Sequence, residues 1–147
     1  MGQITKAWTP TGQLRFDALA EIRDKHKPLY ELSWSNVYQR PDLQLRAVVL
    51  KMKDNYEYYK KYTKSDHALA FADAGYNGGI RGVDNERRAC KLADNCDPAQ
   101  WFDNVERFCL KGKAALYGQR SACDINRHHV RDVLLTREPK YGKYFSK

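Results

Sequence analysis

Ala68-Leu69-Ala70-Phe71-Ala72-Asp73-Ala74-Gly75-Tyr76-Asn77-Gly78-Gly79-Ile80-Arg81-Gly82-Val83 is the stretch on which the reading of this chain turns. Alanine has the highest intrinsic helix propensity, and its small side chain lets neighbouring helices approach closely. Ser65 can cap a helix that is dense in alanine from His67 onward. Gly75, Gly78, Gly79 and Gly82 then give the backbone unusual freedom. The expectation is a helix that stops at Ala74, followed by a loop over residues 75–83 suited to a tight turn or to close contact with a ligand.

Upstream, Pro41 opens the strongest helical pattern. Leu45, Val48, Val49, Met52, Tyr56 and Tyr59 recur at three- and four-residue steps, which predicts a helix over residues 41–62. Its other face carries Arg46, Lys51, Lys53, Glu57 and Lys60, and the cluster Tyr56, Tyr58, Tyr59 and Tyr62 reads as packing. Phe16, Leu19, Ala20 and Ile22 predict a shorter helix over residues 16–25, with Pro28 just past its end. Residues 29–39 lack a sustained period and read as a loop with Trp34 and Tyr38 as aromatic anchors.

Downstream, Asp84 or Asn85 can start a helix through Leu92, and Asp97-Pro98 signals the start of one bearing Trp101, Phe102, Val105, Phe108 and Cys109. After a connection over residues 112–118, Asp124 can cap a final helix using Ile125, His129, Val130, Val133 and Leu134, which Pro139 ends. The tail, residues 140–147, is basic and aromatic. No strand-like alternation persists, so the pattern predicts an all-α, orthogonally packed domain of about six helices filling residues 1–147.

A chain of 147 residues fits one domain. Its hydrophobic content of 42% is too high for a disordered chain. The net charge of +8 predicts an anionic partner: nucleic acid, anionic lipid or the carboxylate-rich bacterial wall. No apolar leader or membrane-spanning run is visible, so no membrane anchor is expected. Cys90, Cys96, Cys109 and Cys123 allow two disulfides in three pairings. The local pairs, 90 with 96 and 109 with 123, close short loops and are the simplest choice; four reduced thiols are the alternative.

The alanine-rich helix running into Tyr76-Asn77-Gly78-Gly79 resembles the Ala-Tyr-Asn-Ala-Gly motif beside the cleft of soluble lytic transglycosylases and goose-type lysozymes. Gly75 stands for the first alanine and Gly78 for the second. The long helix from Pro41 resembles the helix that precedes that motif. Met1-Gly2-Gln3-Ile4 resembles the end of the family's Gly-Leu-Met-Gln motif, and the run Ser121-Ala122-Cys123-Asp124-Ile125-Asn126-Arg127 is similar to the C-terminal part of phage-encoded lysozyme-like proteins.

The resemblance implies a lysozyme-like fold, no cofactor, and action on the glycan strands of peptidoglycan. It further implies a phage-encoded protein made in the host cytoplasm and delivered to the wall by a holin or an injecting virion. Glycosidic cleavage needs a carboxylic acid to protonate the leaving oxygen. In lytic transglycosylases one glutamate acts first as acid and then as base. By resemblance Tyr76 orients the acid or a substrate group, Asn77 hydrogen-bonds the sugar or the loop, and Gln3 and Gly78 lie in the same cleft. The family's glutamate precedes the residue matched by Gln3, so the chain begins too late to carry it. Glu21, Glu31 and Asp73 do not match that position, and no catalytic acid is assigned. A missing upstream segment would leave apolar surface for a partner chain or for self-association.

Two other chemistries bear on the same residues. Cys109, Cys123, His128 and His129 are zinc-ligand types, but adjacent histidines on a helix diverge by about 100°, and no metal site is expected. A basic helical module that binds nucleic acid through Arg127, His128, Arg131 and Arg137 is the alternative function.

Overall fold

Thr9, Pro10 and Gly12 turn the chain back between two short antiparallel strands, β1 (Lys6–Trp8) and β2 (Leu14–Asp17). Gly12 sits at φ +81°, a conformation that side chains disfavour, and the amide of Thr9 closes the turn on the carbonyl of Gln13 at 2.8 Å. The structure, a computed structural model, describes residues 5–144. It divides into two units, Met1–Asp54 and Asn55–Lys147.

In the first unit the helix expected from Phe16 starts later, as α1 (Ala18–Lys25), because Phe16 pairs in β2 opposite Ala7. Asp17 caps it, its carboxylate accepting the Ala20 amide at 3.0 Å. The Trp34 indole N–H donates to the same carboxylate at 2.9 Å, so Trp34 does anchor its loop. Tyr38, the other expected anchor, is 70% exposed. A 3₁₀ turn at Lys27–Leu29 follows α1, and Leu19, Ile22, Leu29, Leu32, Val37, Leu43 and Ala47 form one aliphatic core.

The helix opened by Pro41 is α2 (Pro41–Tyr59), three residues shorter than its pattern. Of its tyrosines, Tyr59 is fully buried in the core of the second unit and Tyr56 and Tyr58 pack against that core, while Tyr62 lies half-exposed beyond the helix end.

The second unit is built on α3 (Ser65–Gly78) and α4 (Ile80–Lys91). Ser65 is the first helical residue and Lys64 the cap position, so the expected serine cap is displaced by one. Ala68, Ala70, Ala72 and Ala74 are fully buried, as the alanine pattern requires. The loop expected over residues 75–83 is almost entirely helix. Glycine weakens a helix by about 1 kcal/mol per position, and here packing overrides that. A Cβ on Gly75 would stand 3.5 Å from Asn55, Tyr59 and Ile80. Only Gly79, at φ +80°, breaks the run and separates α3 from α4.

The helix expected after Pro98 does not form. Asp97 caps a turn instead, accepting the Ala99 amide at 2.8 Å, while Asn104 accepts the Asp97 amide at 2.8 Å. Asp103 lies at φ +58°, and the amides a helix would use are taken by side chains: Trp101 donates to His67 Nδ1 at 3.3 Å and Asp103 to Glu106 Oε1 at 2.7 Å. Trp101 and Val105 are still fully buried, and a 3₁₀ turn covers Val105–Arg107.

A second hairpin, β3 (Ala115–Tyr117) with β4 (Arg120–Ser121), turns at Gly118, φ +59°. It leads into α5 (Ala122–Arg131), which Ser121 caps. Asp124 is the reciprocal member of this capping box, not the cap. A π-helical stretch, Asp132–Arg137, continues into α6 (Glu138–Tyr141). Pro139 sits in the first turn of α6, where its missing N–H is no loss, and so does not end the helical run.

The molecule is thus mostly helical with two small sheets, not plainly all-α. The strands have two to four residues, too few for alternation to register in the sequence. Both local disulfides are formed, Cys90–Cys96 and Cys109–Cys123. Among the described residues no helix is long and apolar enough to cross a membrane.

Candidate functional site

Asp73, Ala74 and Asn77 lie within one turn of α3, on the side that meets α5. Asn126 of α5 is fully buried there. Its amide donates to the Ala74 carbonyl at 3.0 Å and to the Asn77 side-chain oxygen at 3.3 Å. One turn further along α5, His129 bonds Asp73 at 3.2 Å. Asn77 is therefore tied to the helix that carries the Asn126-Arg127 pair.

Glu86 organises the other half of the network. It is completely buried on α4, at the three- and four-residue spacing of Val83 and Cys90. Arg127 Nη2 donates to one of its oxygens at 2.8 Å and Lys111 Nζ to the other at 3.2 Å. The Leu110 amide adds a third bond at 3.3 Å. Two cations and a backbone donor compensate a charge that would otherwise be prohibitive in the interior. Arg127 also donates to Asn126 Oδ1 at 2.6 Å and to the Glu106 carbonyl at 2.8 Å, and its guanidinium lies 4.7 Å from the centre of the Trp101 ring.

Gly78 has a specific role in this arrangement. A Cβ there would stand 2.3 Å from Lys111 Cε and 2.7 Å from its Nζ, so the lysine could not reach Glu86 by its present path. Gly82 meets the same Nζ at 3.2 Å from its notional Cβ. Of the glycines that suggested a loop, Gly78 and Gly82 are spaces on a helical surface through which Lys111 runs. The Cys109–Cys123 disulfide ties the segment just before Lys111 to α5.

Of the expected site residues, the structure brings Asn77 and Gly78 together with Asn126 and Lys111. Tyr76 is half-buried on α3. Gln3 lies outside the described residues. Lys111 and Glu86 escaped the sequence reading. Glu86 had a signal, since a charged residue occupies an apolar position of the 83, 86, 90 period; Lys111 had none.

The carboxylates sort by environment. Glu21 and Glu31 are exposed in the first unit, and Glu31 pairs with Arg40 at 2.9 Å. Glu106 is largely buried and bonded by Arg131 Nε at 3.0 Å. Asp73 is 4% exposed, with His129 as its partner. That hydrogen bond raises the His129 pKa above the usual imidazole value; burial opposes the shift, and Asp132 adds to it. Asp73 is therefore packed in the interior and paired with a histidine.

Zinc ligation by Cys109 and Cys123 is closed off because the two sulfurs are bonded to each other. The arginines of the nucleic-acid alternative are also committed: Arg127 to Glu86, Arg131 to Glu106 and Arg137 to Asp132 at 2.6 Å. Only His128 of that set is exposed without an ion pair among the described residues. No family model, curated protein or solved structure matches the chain.

Proposed function

We propose that this chain is a lysozyme-like protein that acts on bacterial peptidoglycan, engaging the glycan strand beside the α3–α4 corner. One observation supports the reading above all. Residues 73–78 and 126–127, which belong to two separate stretches of the resemblance, are joined by direct bonds from Asn126 to Ala74 and Asn77. Such bonding gives the corner a fixed shape, as a polar sugar-binding surface requires. The net charge of +8 adds a general attraction to a carboxylate-rich wall.

Cleavage requires an acid, and among the described residues the buried glutamates are each held by cations. The reading is therefore strand engagement, with cleavage wherever a suitable carboxylic acid is supplied, from this chain or from an upstream partner. The test is incubation of the purified chain with sacculi, scoring co-sedimentation and soluble muropeptides by mass spectrometry. Anhydro-muropeptides identify a transglycosylase; binding without release identifies a wall-binding protein; neither overturns the reading.

A further inference from the structure

Away from the Asn77–Asn126 network, the second unit holds an open pocket of about 330 Å³ lined by Tyr58, Asp84, Arg87, Arg88, Lys91 and Pro98. Four of these share one face of α4, at positions i, i+3, i+4 and i+7. The helix thus presents one side, Val83, Glu86 and Cys90, to the interior and the adjoining side to this pocket.

The floor is prearranged. The Tyr58 hydroxyl donates to Asp84 at 2.8 Å, and Arg87 donates through Nε to the Pro98 carbonyl at 3.1 Å. Arg87 also lies within 6 Å of the Tyr59, Tyr62 and Phe71 ring centres and 3.8 Å from Asp84. Its charge belongs to the floor. The Cys90–Cys96 disulfide closes the loop that brings Pro98 to the rim.

Arg88 and Lys91 stand differently. Both are exposed, and among the described residues neither has a carboxylate partner; Arg88 bonds only the Asn85 amide oxygen, at 2.9 Å. A pocket of this size, with an aromatic and proline wall and two unmatched cations at its edge, fits a small ligand that carries a carboxylate on a short, partly apolar body.

We infer that this pocket receives the free carboxylates of the peptide stems that branch from the glycan strand. The inference rests on the peptidoglycan reading and adds a second contact to it: the corner at Asn77 takes the sugar, and the α4 face takes the peptide. The full chain is tested by binding to surface-immobilised glycan strands with their stems intact and with the stems removed by an amidase. Removing a carboxylate–cation pair at an exposed site weakens binding by up to about fivefold, so with two cations at the edge the stripped material should bind about two- to fivefold less well. Arg88→Ala/Lys91→Ala should abolish the difference between the two materials, and Arg88→Lys/Lys91→Arg should restore it. An NMR titration with a synthetic stem tripeptide should move the amides of residues 84–91, and its carboxamide analogue should not.

Equal binding to both materials, with the peptide titration silent, overturns the stem site and leaves the glycan reading standing. No binding to either overturns both. If the double alanine variant keeps the stem preference and loses only thermal stability, the cations serve the helix C-terminus and the inference fails. Loss of duplex DNA binding in that variant, with sacculus binding unchanged, assigns the pocket to phosphodiesters and also overturns it.

Discussion

The two units solve the folding problem with different materials. Residues up to Asp54 close around seven aliphatic or small side chains, and their polar contacts, such as Asp17 with Trp34 and Asp54 with His26, lie at the margin of that core. From Asn55 onward the core is alanine and aromatic, and it encloses a charged network tied by two disulfides. A hydrophobic core tolerates exchange of side chains of similar volume, because its energy is non-directional. A buried ion network does not, because each member leaves its partners exposed to the full desolvation penalty.

That contrast can be broken most directly at Glu86. Glu86→Gln leaves Lys111 and Arg127 without a counter-charge and should destabilise the protein by about 3–5 kcal/mol; urea unfolding measures it. Leu29→Met in the first unit should cost less than about 1.5 kcal/mol by the same assay. Equal losses at the two sites would erase the distinction.

The covalent part comes next. Cys109→Ser/Cys123→Ser opens a loop with a sequence separation of 14 residues. The expected loss is about 3 kcal/mol, read from the melting temperature with and without reductant. A reductant that lowers the melting temperature of the wild type and leaves the variant with Cys90 and Cys96 also replaced unchanged would assign the whole effect to the two bridges.

Gly78→Ala sharpens the account of the corner. The added methyl displaces Lys111 from Glu86, while alanine itself favours the helix. A net loss of about 1–2 kcal/mol follows if the charged hydrogen bond outweighs the gain, with weaker co-sedimentation on sacculi. A stabilised variant with unchanged binding would mean that Lys111 finds an equivalent path.

The smallest effect belongs to His129. Its pKa is raised by the hydrogen bond to Asp73, against the opposing effect of burial. The stabilisation is fully present below the unfolded imidazole value of about 6.5, and it fades as the pH rises through the higher folded value. With the side chain 39% exposed, solvent screening holds the contribution below about 1 kcal/mol. His129→Gln should flatten the part of the stability profile that falls away as the pH rises above about 6.5.

The limits of the sequence reading follow the same divide. Alanines at every second position of residues 68–74 announced close packing, and α3 buries all four of them. Pro41 and the apolar period announced α2. The two local disulfides were one of the possibilities that spacing left open. In contrast, Gly75, Gly78 and Gly82 read as a loop because propensity sees one residue at a time. Lys111, some thirty residues away, runs past Gly78 and Gly82, while Gly75 packs against Asn55, Tyr59 and Ile80. The helix expected after Pro98 does not form because His67 and Glu106 take the Trp101 and Asp103 amides and Asp103 adopts a left-handed conformation.

The sequence by itself determined the helical character of residues 41–59 and 65–74, the positive charge, and the short motifs on which the resemblance rests, because these depend on neighbours within one or two turns. Only the tertiary structure decided that Glu86 is buried between Lys111 and Arg127, that Asn77 answers to Asn126, and that one face of α4 borders an open basic pocket. Those relations join residues that lie far apart along the chain, and no local pattern of propensity or periodicity encodes which distant charge will come to rest against which.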